Sequence, residues 1–359
     1  MTIQTEPIGS IPRPVELILG IKAHAAGQLD DKGLQQLFES ALTDTIKRFE
    51  ATGSPVITDG EQTKPSFATY PVDGLPGLKA DGVVIPFADG HTRQLPTISL
   101  SPFRFSHYAS EYLKKAKQLT KLPVKQAVIS ASAISLLYPS KEIEGYSQQE
   151  FVKDLVDQAE SDIRQCLQAG AYNVQIDFTE ARLSLKLDPS GGLLKSFIDL
   201  NNQVLNRFSE EERKRIGVHS CPGGDLDSTH SADINYSGLL PLLFQLHAGN
   251  FYLEYAAEKD KKSILQNIRE NLKPGQRVFL GVTNVLSPKI ETPEEIRDLI
   301  VDAASVLPLA QLGTTDDCGF SPFADDTSTA RDIAFAKIKA RVEGTKLAEK
   351  ELSKTAVAL

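Results

Sequence analysis

"RIGVHSC", Arg215 to Cys221, sets two apolar residues, Ile216 and Val218, just ahead of a histidine, a serine and a cysteine. A short β-rich run closed by polar or small side chains is what a buried parallel strand looks like where its C-terminal end emerges from the core. The pattern recurs in "IQTEPIGS" (3–10), "PVITDGE" (55–61), "VKQAVISAS" (124–132), "YNVQIDF" (172–178), "NFYLEYA" (250–256), "RVFLGVTN" (277–284) and "LPLAQLGTT" (307–315). With the opening stretch these make eight candidate strands.

Between most of them the apolar residues fall at helical spacing. Leu34, Leu37, Ala41, Leu42 and Ile46 mark one face, Phe151, Leu155, Ala159 and Ile163 another, and Leu194, Phe197, Ile198, Val204 and Leu205 a third. "TPEEIRDLI" begins as a helix should, with Thr292 as cap, Pro293 at the first position and Glu294 and Glu295 in the first turn. Eight strands alternating with helices predict an α/β protein, a single TIM-type (β/α) barrel over residues 1–359. Two stretches interrupt the alternation. Residues 62–123 carry turn signals at Gly74, Gly77, Gly82 and Gly90, predicting a loop with a small hairpin, and only "EYLKKAKQL" (111–119) there reads as helix. Residues 221–238 are long for a βα loop. The last helix is expected over 328–352, with a charged tail that frays.

Composition narrows the function. The net charge of −8, with no basic cluster interleaved with aromatics, argues against nucleic acid as a partner. The N-terminus lacks a secretory pattern and no run of about 18 apolar residues exists to span a membrane, so a cytoplasmic location is expected. Three cysteines, at 166, 221 and 318, make no disulfide framework and are free to bind metal.

On a barrel, Glu61 ends the second strand, Asp177 the fourth, His219 and Cys221 the fifth and Glu254 the sixth, while Cys318 lies just past the eighth. Catalytic groups of barrel enzymes gather on this C-terminal rim. His219 and Cys221, two apart on a strand, point to one side, and with Cys318 they have the softness zinc prefers. Other readings stand beside this one: Cys221 as a small apolar residue, His219 as a hydrogen-bonded rim residue, Glu61 and Asp177 as caps or salt-bridge partners. Cys166 reads as helix packing, and His230 and His247 as structural or solvated.

The ordered set "IGSIPRP", "TDGE", "VQIDF", "VHSC", "YLEYA", "LGVTNVLSPKIETPEEI" and "TTDDCGF" resembles the catalytic half of cobalamin-independent methionine synthases, from about residue 5 to about 340. It is also similar to single-barrel members of that superfamily such as epoxyalkane:coenzyme M transferase. The resemblance implies zinc held by His219, Cys221 and Cys318, with Glu254 as a carboxylate ligand given up to the substrate thiol. It implies that Ser10, Glu61 and Asp177 hold the amino-acid part of homocysteine. The implied activity is zinc-dependent thiol alkyl transfer, methylating homocysteine to methionine from a folate or other small donor. An epoxide:thiol transferase or carbon–sulfur lyase is the alternative, and a non-catalytic zinc-stabilised thiol-binding barrel a remoter one. The sequence departs from the family in reading Asp177, Phe178, Thr179, Glu180 after the fourth strand, and in having no tryptophan for an aromatic folate platform.

Overall fold

A computed structural model describes residues 2–357. Seven parallel strands form one curled sheet: β1 (Gln4–Thr5), β2 (Gln126–Ile129), β3 (Val174–Asp177), β4 (Ile216–Ser220), β5 (Asn250–Leu253), β6 (Arg277–Gly281) and β7 (Leu312–Thr315), in the spatial order β1-β7-β6-β5-β4-β3-β2. The gap between β1 and β2 is filled by the stretch expected as the second strand. Ile57 bridges Val124, with Ile57 N–H on Pro123 O (3.0 Å) and Lys125 N–H on Ile57 O (2.8 Å). On its other side Ile11 N–H donates to Gly60 O (3.0 Å) and the Thr58 hydroxyl to Gly9 O (2.8 Å). The result is the expected α/β barrel, closed at this point by single contacts.

Each expected strand is shorter than its run in the sequence, and two are reduced to one or two paired residues for local reasons. At 55–61 the chain turns at Gly60 (φ 66°) and Glu61 (φ 56°), where Asp59 Oδ1 accepts the Glu61 N–H, so no ladder extends beyond Ile57. At 3–10 the ladder stops at Thr5 because Pro7 has no N–H to give.

Side chains alternate along each strand, so Gln175 and Asp177 face the barrel interior while Val174 and Ile176 pack outward under helices. On β4 the interior positions are Gly217, His219 and then Cys221. Gly217 admits nothing larger: a Cβ there would lie 2.5 Å from the Tyr252 ring and 3.2 Å from Asn250 O. The outer helices follow their sequence signals. Gln148–Gln168 starts in a Ser147/Glu150 capping box, and Pro293–Ala304 starts on Thr292, which exchanges hydrogen bonds with Glu295; such a cap contributes about 1 kcal/mol. Cys166 is fully buried on the first of these, as packing requires. The terminal helix, Arg331–Val357, corrects the expected 328–352: it begins three residues later and continues through the charged stretch that was expected to fray.

The two insertions lie together on the rim. Residues 84–86 and 92–94 form the small hairpin, turning at Gly90, and the helix of this insertion is Ala109–Leu119. Within 221–238 a second short hairpin pairs Gly224–Asp225 with Ser228–Thr229. The hairpins are joined by Ala88 N–H on Thr229 O (3.0 Å) and by Arg93, whose guanidinium bridges Asp225 and Asp325. Among the described residues no helix is long and apolar enough to cross a membrane.

Candidate metal and thiol site

His219, Cys221 and Cys318 meet at the rim with their ligand atoms all within 4.8 Å of one another. β4 supplies the first two at interior positions, and the loop after β7 supplies the third. That loop is anchored on both sides of the cysteine. Asp316 accepts from Arg341 Nε and from the Thr283 hydroxyl (2.9 Å each), and the Asp317 carboxylate accepts three backbone N–H groups, those of Tyr255, Ala256 and Ala257, at 2.8 Å. The same three bonds fix the chain that follows Glu254.

The Cys221 and Cys318 sulfurs are 2.9 Å apart and both thiols are free, well beyond the roughly 2.05 Å of a disulfide. Hydrogen bonding from Cys221, aided by His219, holds the Cys318 thiol well below the usual range, while Cys221 is pushed up by the same partnership and by burial. His219 Nδ1 lies 3.2 Å from Tyr252 O, the contact that fixes the ring with N–H on Nδ1 and the lone pair on Nε2. Nε2 is buried and has no hydrogen-bond partner among the described residues. An orphaned imidazole lone pair beside two sulfurs, one of them favouring its thiolate, is a donor set suited to a soft divalent metal.

Ser10, Glu61 and Asp177 come to the same place. Together with His219 and Cys318 they line one small recess of about 30 Å³. Ser10 Oγ accepts from Ser321 N–H (3.1 Å), and Gly319 is a glycine because a Cβ would sit 2.2 Å from that oxygen. Glu61 Oε1 is paired with buried Lys64 (3.0 Å), which also donates to Ala127 O (3.0 Å). Asp177 Oδ1 accepts from Gln175 Nε2 (2.7 Å). Burial, set against the pull of His219 and reinforced by Glu61, raises Asp177 to about 6.

Glu254 is placed differently. It borders a second recess that also reaches Cys318, but its Oε2 is engaged by Arg182 (3.0 Å), and it stands outside the group formed by the three close ligand atoms. Burial and neighbouring Asp317 raise its pKa well above the usual carboxylate range. Arg182, Lys64, Gln175 and Asp317, which position these groups, were not singled out from the sequence. Of these, Gln175 and Asp317 stood in quoted motifs, beside Asp177 and Cys318.

A far larger hollow adjoins the recess at Phe67, Thr179, Gly223 and Gly224. This cleft has a volume of about 910 Å³ and is walled mainly by aliphatic and aromatic side chains, among them Ile134, Leu183 and Phe197. Its one buried carboxyl is Glu180, whose Oε1 accepts from the Ser130 and Ser132 hydroxyls while Oε2 has no partner among the described residues. Burial pushes Glu180 up to about 7. His230 also borders the cleft, edge-on to Phe87, and burial lowers it to about 4; His247 is exposed and bonds Asn206.

Comparison with known proteins gives consistent matches. The family model described as "Cobalamin-independent synthase, Catalytic domain" matches residues 3–342. Curated methionine synthases of Sulfurisphaera tokodaii and Pyrococcus furiosus are 24% and 22% identical, each over 98% of this chain and 94% of its own length. Among solved structures, a B12-independent methionine synthase from Shewanella sp. W3-18-1 in complex with selenomethionine superposes with a TM-score of 0.75 at 19% identity over 100% of both chains. A methyltransferase from Methanosarcina mazei gives 0.56 at 13%, over 96% of this chain and 94% of its own. At these identities the two structural likenesses bear on the fold, which they share.

Proposed function

Because the chain belongs to the cobalamin-independent synthase catalytic-domain family, we propose that it is a zinc-dependent thiol alkyltransferase that methylates homocysteine to methionine, the whole chain acting as one catalytic barrel. The observation that carries this is the orphaned His219 Nε2, buried beside the Cys221 and Cys318 sulfurs at the mouth of a recess lined by carboxylates. His219, Cys221 and Cys318 would hold the metal, and Glu254, which shares a recess with Cys318, would be the carboxylate that exchanges with substrate once it leaves Arg182. Zinc with three protein ligands keeps a position for an incoming thiol and lowers its pKa from about 8.5, so that the sulfur reacts as a thiolate at neutral pH.

The chain's own groups supply binding and orientation. Asp177 and Glu61 face the α-ammonium of homocysteine, and the Ser10 hydroxyl serves its carboxylate. Fixing the amino acid at three points on separate loops holds its sulfur at the edge of the cleft, a proximity effect that lowers the barrier without new chemistry. The apolar cleft takes the methyl donor and keeps water from the attacking sulfur. The new S–C bond forms as the donor's bond to the methyl carbon breaks. The reading also places the enzyme in the cytoplasm, acting on small molecules.

Zinc-edge X-ray absorption on the zinc-loaded protein, with and without homocysteine, tests this. One sulfur neighbour should be gained and one lighter neighbour lost. A shell that homocysteine leaves unchanged would defeat the proposal, and a protein that holds no zinc would defeat it earlier.

A further inference from the structure

One layer below the recess, the barrel interior holds a polar chain that packing alone does not call for. Lys125, at the start of β2, is fully buried; its Nζ donates to Gln175 Oε1 (2.7 Å) and lies 4.0 Å from the Tyr252 ring centroid and 3.9 Å from Glu6 Oε2. Glu6 is in turn held by the Tyr252 hydroxyl (2.7 Å) and Asn173 Nδ2 (2.8 Å). Gln175 passes the chain upward, its Nε2 donating to Asp177 Oδ1 (2.7 Å). Barrel interiors are ordinarily filled by branched apolar side chains, and a buried ion pair is weak ground for stability.

We propose that Lys125 is a positioning residue for the amino-acid recess, locking Gln175 in the one amide orientation that turns its N–H toward Asp177. An ammonium has donors only, so Gln175 must offer it oxygen, and the NH₂ is then left for the carboxylate. Without Lys125 the amide is held from one end only, by Asp177 itself, and loses its anchor to the barrel floor. Amide and carboxylate would then swing together out of line with the substrate ammonium. Lys125 thus selects for an amino-acid thiol over a thiol of equal length without the amino group, acting through Gln175 and touching neither ligand nor metal. The inference rests on the reading of the recess as the amino-acid site.

Calorimetric titration of the full chain with L-methionine, and with the methionine analogue that lacks the amino group, tests it without a methyl donor. The wild type should prefer L-methionine by about tenfold or more, the size of a hydrogen bond to a charged group. Lys125→Met should bring that preference close to unity while leaving affinity for the analogue unchanged. Gln175→Met, which keeps the Lys125–Glu6 pair and so guards against a folding failure of the first variant, should do the same. The double variant should lose nothing further, because the two residues act in series. A Lys125→Met or Gln175→Met protein that keeps the wild-type preference, or loses both ligands alike, overturns the relay. A wild type without any preference overturns the amino-acid reading of the recess, and the relay with it.

Discussion

The recess and the cleft that meet at Gly223 and Gly224 are built on opposite rules. In the recess Glu61 is paired with buried Lys64, and Asp177, hydrogen-bonded by Gln175, is raised by burial to about 6. In the cleft the one buried carboxyl, Glu180, meets only two serine hydroxyls and is raised to about 7. The volumes differ as well, about 30 Å³ against about 910 Å³, the second near the upper end of the usual size of a small-ligand pocket. On the proposed function, one side of the reaction would be recognised by charge and the other by shape, with the two cysteines and the histidine at their border.

The most damaging test of that border is Cys318→Ser. Metal affinity should fall by more than the roughly 10–100-fold that loss of an outer partner costs, with turnover lost and the melting temperature largely kept. Metal content after dialysis and a thermal scan would show it, and a protein that simply unfolds would make the site structural.

Glu180→Gln is the next largest and bears on the cleft. The folded protein holds the Glu180 proton up to about pH 7, whereas the unfolded chain releases it near the ordinary 4.5. Between those values the unfolded state binds fewer protons, so this carboxyl makes the wild type lose stability as pH rises from 4.5 through 7. The neutral isostere should remove that slope, leaving the variant more stable above pH 7 by up to about 3 kcal/mol, as urea midpoints on either side of the window would report. Equal midpoints would mean that Glu180 has a counter-charge.

Asp177→Asn probes the recess in the same isosteric way. Affinity for homocysteine should weaken by roughly 10–100-fold, while that of a thiol lacking the amino group stays level. A uniform loss for both would remove charge from the comparison. The smallest effect is expected from Ala133→Phe, which narrows the cleft from the short helix Ala131–Ser135. KM for the methyl donor should rise by about tenfold with homocysteine binding untouched, the signature of shape acting on one substrate alone.

The alternation of apolar runs and helical faces made the barrel legible, because parallel strands covered on both sides must be apolar nearly throughout. What periodicity missed lies where the backbone leaves the ladder. The 55–61 run has a strand's composition, but its Gly60–Glu61 turn leaves a single bridge, and turn residues at a strand's end look the same in sequence whether the ladder reaches them or not. The grouping of His219, Cys221 and Cys318 was legible because two are register partners on one strand and the third follows another strand of the same rim. Arg182 and Lys125 were not, since a lysine or arginine in an amphipathic or apolar segment reads as solvated until the partner that buries it is known.

The seam of the barrel has a consequence for how the protein is made. β1 pairs only with β7, Ser10 receives its hydrogen bond from Ser321, 311 residues later, and Ile3 N–H reaches Glu349 in the terminal helix. During vectorial synthesis the first strand therefore waits, unpaired, while most of the chain emerges, and contacts of such long range form slowly. Cys318 arrives in the same late window. Neither the His219, Cys221 and Cys318 group nor the Ser10 wall of the recess can exist on a partly made chain, so on the proposed function a nascent barrel could neither capture zinc in its final geometry nor bind the amino acid before closure. Removing the terminal helix, which holds none of the candidate ligands, would accordingly leave every strand and both cysteines while taking away the Arg341 anchor beneath Cys318 and the Glu349 partner of Ile3.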